Sequence, residues 1–363
     1  MSETGLSAGR PAPRARRRVN GIDVFMWGLR IVVAAVALIG AVATLLTGRY
    51  SLAQWFDFAM FGLTLGSVYA LIALGYTMVY GVLRMINFAH GDITMTGAFA
   101  GYFMASSMAR NGYYESHPAF AMLAVFAVAM LACITIALLT ERYAYRPFRH
   151  SLGQAPLICA IGVSFVLQQT VRGMFGSGVK SYPTLSWHDV ILEFGGVRVP
   201  VVNLFVMGCA IVAMVGLYLI VHRTRMGMAM RAVSEDKNAA SLMGVDVDRV
   251  IVFAFTLGGA MAGVASVCYA LIYQQVHFFM GFAPGIKAFG AAVLGGIGGI
   301  PGAMIGGMFL GLIEAMGPAL FLDGLGITAP YQLRDVIGFL VLLMVLIFRP
   351  QGLFGEAMAK RRA

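Results

Sequence analysis

FGLTLGSVYALIALGYTMVYGVLRMINFAHGDITMTGAFAGYFM, residues 61–104, decides the fold. It overlaps a run, residues 58–82, that carries no charged side chain and is long enough to cross a hydrocarbon core of about 30 Å as a helix. Arg84, Asn87, His90 and Asp92 then fall within nine residues, and a second run rich in Gly, Ala and Thr follows. Backbone that leaves helical pairing at membrane depth is tolerated only inside protein or against a water-filled cavity. The break therefore marks a candidate translocation path, with Asn87, His90 and Asp92 as its path-lining or helix-break residues.

The rest of the chain fits a membrane protein. Its 363 residues are 60% hydrophobic and 12% charged, against about a quarter charged in soluble domains, and mean hydropathy is +0.82. The net charge of +10 lies in gaps between apolar runs instead of on one patch, which fits the bias of cytoplasmic loops toward Lys and Arg and gives no reason to expect nucleic acid. Cys133, Cys159, Cys209 and Cys268 each stand alone inside an apolar run, as small buried hydrophobes. No metal site, cofactor or disulfide framework is expected from them.

In chain order, residues 1–21 hold five arginines and two prolines and read as a disordered basic cytoplasmic tail. Residues 22–47 read as an extra transmembrane helix, whose apolar run at 24–46, broken only by Arg30, is too long for the apolar core of a signal peptide. The main transmembrane domain spans 58–349, with spans at 58–82, 93–108, 119–140, 156–175, 201–221, 250–273 and 336–348, and residues 350–363 form a cytoplasmic tail. The fold class is thus all-α: a polytopic helical membrane protein with about eight full spans. With the N-terminus inside, the charge rule places loops 141–154 and 222–249 in the cytoplasm. It also forces residues 285–317, rich in glycine and interrupted by Pro301, to return to the side they entered from. They read as a broken pair, re-entrant or a tight hairpin, meeting near Gly298 to Pro301. Gly298, Gly302 and Gly306, at four-residue spacing, are candidate helix-packing positions.

Two halves of the chain share an order. Thr64-Leu65-Gly66-Ser67 and Thr256-Leu257-Gly258-Gly259 open long spans, and Asn87-Phe88-Ala89-His90-Gly91 and Gly281-Phe282-Ala283-Pro284-Gly285 break them. The two spans run in opposite directions by the charge rule, so the pattern suggests an inverted repeat with its site near the midplane. Gly176-Ser177-Gly178-Val179-Lys180-Ser181 is the nearest approach to a phosphate loop, but Val179 stands where glycine is required. Lys287 and Glu314 are further ionisable residues in apolar runs; Lys287 can snorkel to the outer interface.

In the loop 222–249, Ser234 can cap a helix opened by Glu235 and Asp236 and stopped by Gly244, with Ala239, Leu242 and Met243 on one apolar face. Such a face requires a groove to bury it, and a partner protein is one source of that groove.

The run Leu65-Gly66-Ser67-Val68-Tyr69-Ala70-Leu71-Ile72-Ala73-Leu74-Gly75, leading into Tyr80-Gly81-Val82 and Ile86-Asn87-Phe88-Ala89-His90-Gly91, resembles the N-terminal signature of the LivH family, and the likeness continues to about residue 355. These are permease subunits of bacterial branched-chain amino acid ABC importers. Asn238-Ala239-Ala240-Ser241-Leu242-Met243-Gly244 resembles the EAA-x-x-x-G motif that docks importer ATPases, although Asn238 replaces its Glu and no Leu-Pro follows. The resemblance implies a multi-pass inner-membrane protein that hydrolyses nothing itself. Its expected partners are two ABC ATPase subunits, a second, LivM-like permease, a periplasmic substrate-binding protein and membrane lipid. Ser234, Asp236, Ala239, Ala240, Leu242 and Gly244 become candidates for ATPase coupling. The likeness extends to urea and short-amide permeases and, more distantly, to sugar permeases; a carrier or channel working alone is the rival class.

Overall fold

The computed structural model describes residues 21–149, 154–194, 196–327, 330–349 and 352–353. The expected tails therefore lie outside the described residues, except for Gly21, Gly352 and Leu353. In chain order the helices are α1 (Gly21–Thr47), α2 (Leu52–Leu83), α3 (His90–Arg110), the short α4 (Tyr113–Ser116), α5 (Pro118–Thr140), α6 (Ala155–Phe175) and α7 (Val201–Arg223). There follow α8 (Arg225–Glu235), α9 (Lys237–Leu242), α10 (Val247–Tyr273), α11 (Phe282–Gly295), α12 (Ile300–Gly317) and α13 (Arg334–Phe348). At the end of the bundle that the charge rule places outside, β1 (Lys180–Ser181) pairs with β4 (Gln275–Val276), and β2 (Ile191–Phe194) with β3 (Val197–Pro200), both antiparallel. These short ribbons are an addition to the all-α expectation.

Eight of the described helical segments are long and apolar enough to span a membrane, but their membership differs from the expectation. The α3 segment is absent from the eight, and Ile300–Leu325 takes its place. Glycine, serine and threonine dilute α3, which buries its first half in protein instead of offering it to lipid. Helix α12 continues through a π-helical turn (Pro318–Leu322) and a 3₁₀ turn (Asp323–Leu325), which lengthens what reads in sequence as half of a broken pair. The break between α11 and α12 is confined to residues 296–299, so the pair is a tight hairpin. Gly298 sits in that turn at φ +101° with open space around it. Its role is conformational, a correction to its reading as a packing position.

Helices α2 and α10 form the centre, apolar and buried around most of their circumference, as a helix without a polar face must be. They run in opposite directions. The C-terminal end of α2 lies beside α8, where Arg84 donates to the Ser234 carbonyl at 2.9 Å. The C-terminal end of α10 lies beneath the outer ribbons, where His188 Nε2 meets the Leu271 carbonyl at 3.0 Å.

Each central helix ends in the same way. Arg84 (φ 58°) and Gln274 (φ 52°) are the two non-glycine residues with positive φ among those described, and each donates its N–H back to close the preceding helix. After each, the chain turns back into the bundle and starts a new helix, α3 or α11. Those two N-termini meet: a Cβ on Gly91 would lie 2.4 Å from the Gly281 oxygen, and one on Gly281 would lie 2.1 Å from the Gly91 oxygen. The halves also exchange partners, since α12 packs on α2 and α5 packs on α10. Such reciprocity is the arrangement expected of an inverted repeat.

Glycine makes the exchanged contacts close. A Cβ on Gly311 would lie 2.3 Å from Gly66 backbone atoms, and one on Gly263 would lie 2.4 Å from the Met130 Cα. Gly302 and Gly306 serve the α11–α12 contact, facing Gly295 and Ala291, as small residues do where lipid-embedded helices approach. Gly311→Ala is expected to cost about 1–3 kcal/mol, the usual penalty of overpacking. A lowered unfolding midpoint in detergent checks it; an unchanged midpoint shows that α12 shifts freely.

Candidate functional site

The break after α2 is built from local hydrogen bonds. Asn87 Oδ1 accepts the Ala89 N–H at 3.1 Å and the Tyr145 hydroxyl at 3.0 Å, which ties the turn to the segment following α5. The His90 ring fills a slot above Gly75, where a Cβ would come within 2.0 Å of Nε2, and lies edge-on to Tyr76 with centroids 4.9 Å apart. Gly75 precedes the end of α2 by eight residues, so α3 begins about 12 Å back along α2. Asp92 stands in the first turn of α3, where a carboxylate suits the positive end of the helix dipole. It accepts from Ser164 and, at 3.1 Å, from Gln168 on α6.

Asn87, His90 and Asp92 are thus brought together, each 1–2% exposed, and face packed protein. The Asn87 amide nitrogen and His90 Nε2 lack hydrogen-bond partners. Ser164 and Gln168 were not singled out from sequence, although a polar pair at i, i+4 in an apolar run is a readable sign of an inward face.

Lys287 does not snorkel. It donates to Glu314, to Asp335 Oδ1 at 2.9 Å and to the Tyr69 hydroxyl at 3.3 Å, while Arg334 Nε lies 3.8 Å from Glu314. Two cations and two carboxylates from α11, α12 and α13 thereby close a neutral quartet against α2. Arg334 and Asp335 had no part in the sequence reading, because they sit at the threshold of a span where charges are common.

The structure corrects the reading of the loop 222–249. Ser234 does not cap a helix: α8 continues past it to Glu235 because Gly227, Met230 and Val233 bury one face, and its hydroxyl donates to the Arg231 carbonyl at 2.7 Å. The cap is Asp236, whose carboxylate accepts the Asn238 and Ala239 N–H groups at 2.8 and 3.0 Å. Helix α9 is therefore six residues long, shorter than the helix between Ser234 and Gly244 expected from the sequence. Gly244, at φ +84°, ends it as expected, with its N–H on the Ser241 carbonyl.

Ala240 is buried, while Ala239 is exposed, as are Leu242 (89%) and Met243 (85%). Two contacts hold this apolar tip to the end of α2: Arg84 on Ser234, and Lys237 Nζ on the Leu83 carbonyl at 3.5 Å. Burial and the Arg84 and Arg149 guanidiniums draw the Lys237 pKa below the usual lysine value. Arg149, bonded to both Glu141 and Asp248, joins the segment after α5 to the start of α10.

Spanning helices around two breaks that meet inside the bundle define a membrane transport protein. Among the described residues no cluster of three or more His, Cys, Asp or Glu is placed to hold a metal ion. The chain belongs to the family described as branched-chain amino acid transport system / permease component, whose model matches residues 58–346. It is 41% identical over 298 residues to the high-affinity branched-chain amino acid transport system permease protein BraD of Pseudomonas aeruginosa, covering 81% of this chain and 94% of that one. It is 40% identical over 310 residues to LivH of Escherichia coli K12, of the same description, covering 85% and 96%. Among solved structures, an ABC transporter in an inward-facing conformation gives a TM-score of 0.45 at 17% identity, over 89% of this chain and 99% of that one. The chain is accordingly a multi-pass inner-membrane permease. Helix α1 precedes the residues matched by the family.

Proposed function

We propose that this chain is the membrane subunit through which Leu, Ile, Val or closely related amino acids cross in an ABC importer. A second, LivM-like permease completes the path, two ATPase subunits hydrolyse the ATP, and a periplasmic binding protein delivers the substrate. The 41% identity to a high-affinity branched-chain amino acid permease over nearly its whole length supports the substrate class. The observation that carries the mechanism is the exposed Leu242 and Met243 tip tethered to the broken end of α2.

An ATPase gripping that tip pulls on Ser234 and Lys237, and through them on Arg84 and Leu83. The turn at 84–89 follows, carrying Asn87 and His90, whose unpartnered polar atoms gain partners once the packing opens. Asp92 anchors the moving turn to α6. In this reading Asn87, His90 and Asp92 act at the gate, and Asp236, Ala239, Ala240, Leu242 and Gly244 shape the docking tip. Ser234 contributes its carbonyl.

Vesicles reconstituted with the chain, its partner permease and the ATPases are expected to accumulate labelled leucine only with ATP and a loaded binding protein. Uphill leucine accumulation without the ATPases would overturn the proposal.

A further inference from the structure

Helix α1 touches the bundle unevenly. In its outer half a Cβ on Gly40 would lie 2.0 Å from the Phe321 carbonyl oxygen, and one on Gly324 would lie 2.3 Å from the Gly40 oxygen. This locks α1 to the turns that follow α12. Between that lock and Arg30, α1 and α13 leave a cleft of about 490 Å³. Its walls are apolar, with Val33, Ala37, Leu340 and Met344 among them, and its two charged lining residues are Arg30 and Arg349.

Arg30 holds α13 by donating from Nη2 to the Ile347 carbonyl at 3.0 Å. Its guanidinium lies 5.3 Å from the Trp27 ring centroid and 4.7 Å from that of Phe348, and its Nε is buried without a partner. A guanidinium has five N–H donors in a planar fork that matches phosphate oxygens. The exposed Trp27 sits where tryptophan is enriched, at the membrane interface.

We propose that the α1–α13 cleft binds one anionic glycerophospholipid from the cytoplasmic leaflet. One acyl chain lies in the apolar slot, and the phosphate sits against Arg30 and Arg349. Charge complementarity selects this occupant: two cations stand at the mouth, and no acidic side chain lines the cleft among the described residues. Val32, Val36 and Leu340, which line the slot, are also exposed on the surface of the bundle, so a single acyl tail can enter without motion of the bundle. The lipid then fastens α1 to the permease through its weakly packed half.

The test is native mass spectrometry of the full chain in detergent, titrated with phosphatidylglycerol or with phosphatidylcholine of the same acyl chains. One phosphatidylglycerol per chain is expected to survive delipidation, with phosphatidylcholine bound at least about fivefold more weakly. Arg30→Ala is expected to cost about fivefold in phosphatidylglycerol retention, one surface cation's share, and Arg30→Lys to keep most of it. Val33→Trp, which fills the slot and leaves Arg30 in place, is expected to abolish retention with the elution profile unchanged. Equal binding of the two lipids overturns the proposal, as does retention indifferent to Arg30→Ala or to Val33→Trp. A disulfide-linked dimer formed by Ala37→Cys would place a second chain in the cleft and also overturn it.

Discussion

Lys287→Met is expected to destabilise the folded permease by about 3–5 kcal/mol, the cost of removing one partner from a buried ion pair. Glu314 is 2% exposed, and without Lys287 the one cation left within ion-pair distance of it among the described residues is Arg334, 3.8 Å away. The expected remedy is a second substitution. In Lys287→Met/Glu314→Leu both charges are gone, and an apolar pair of similar volume is neutral or stabilising in comparable sites. The double variant should therefore recover most of the unfolding midpoint measured in detergent. If it is as unstable as the single variant, the quartet's charges are not what holds α11 and α12 to α13. Uptake measured on the stable double variant then separates a structural quartet from one that the transport cycle needs.

That quartet also shows how sequence and structure divide the information. The spans were legible because lipid imposes a length and a composition on any helix that faces it, as in α5 and α7. The break after α2 was legible because polar residues at 84–92 contradict their surroundings. Lys287 was misread because its partners lie 27 and 48 residues away, and only the α11–α12 hairpin and the return of α13 bring them together. The same limit hid Ser164 and Gln168 from Asp92.

The cytoplasmic loop failed for a different reason. Ser234 and Asp236 are both good caps, so local chemistry alone does not choose between them. The choice is made by Met230 and Val233, whose burial extends α8 through Ser234. The glycines were read as one class, yet Gly302 and Gly306 face a neighbouring backbone while Gly298 supplies a positive φ. Spacing reports the first role; only the turn's geometry reports the second. The meeting of Gly91 with Gly281 was foreshadowed by two weakly matching motifs, whose contact no pattern of spacing states.

Leu242→Asp/Met243→Asp is expected to lower ATP-driven leucine uptake by more than about tenfold while leaving insertion and thermal stability unchanged. Both side chains are almost fully exposed, and substitutions at such positions usually stay within about 0.5 kcal/mol. The few residues that dominate an interface, by contrast, carry about 2 kcal/mol or more each, and an aspartate in a docked apolar tip adds a charge that must be desolvated. Pull-down of the ATPase by the tagged chain should fall in parallel with uptake. Arg84→Asn separates gripping from pulling: asparagine tolerates the left-handed conformation at φ 58° but loses the bond to Ser234. That variant should retain the ATPase and its hydrolysis yet move less leucine per ATP, because the tip is no longer joined to α2 at that point. Full uptake by the double aspartate variant would show that the force enters elsewhere, and the network of Arg149 with Glu141 and Asp248, at the start of α10, would be the next place to cut.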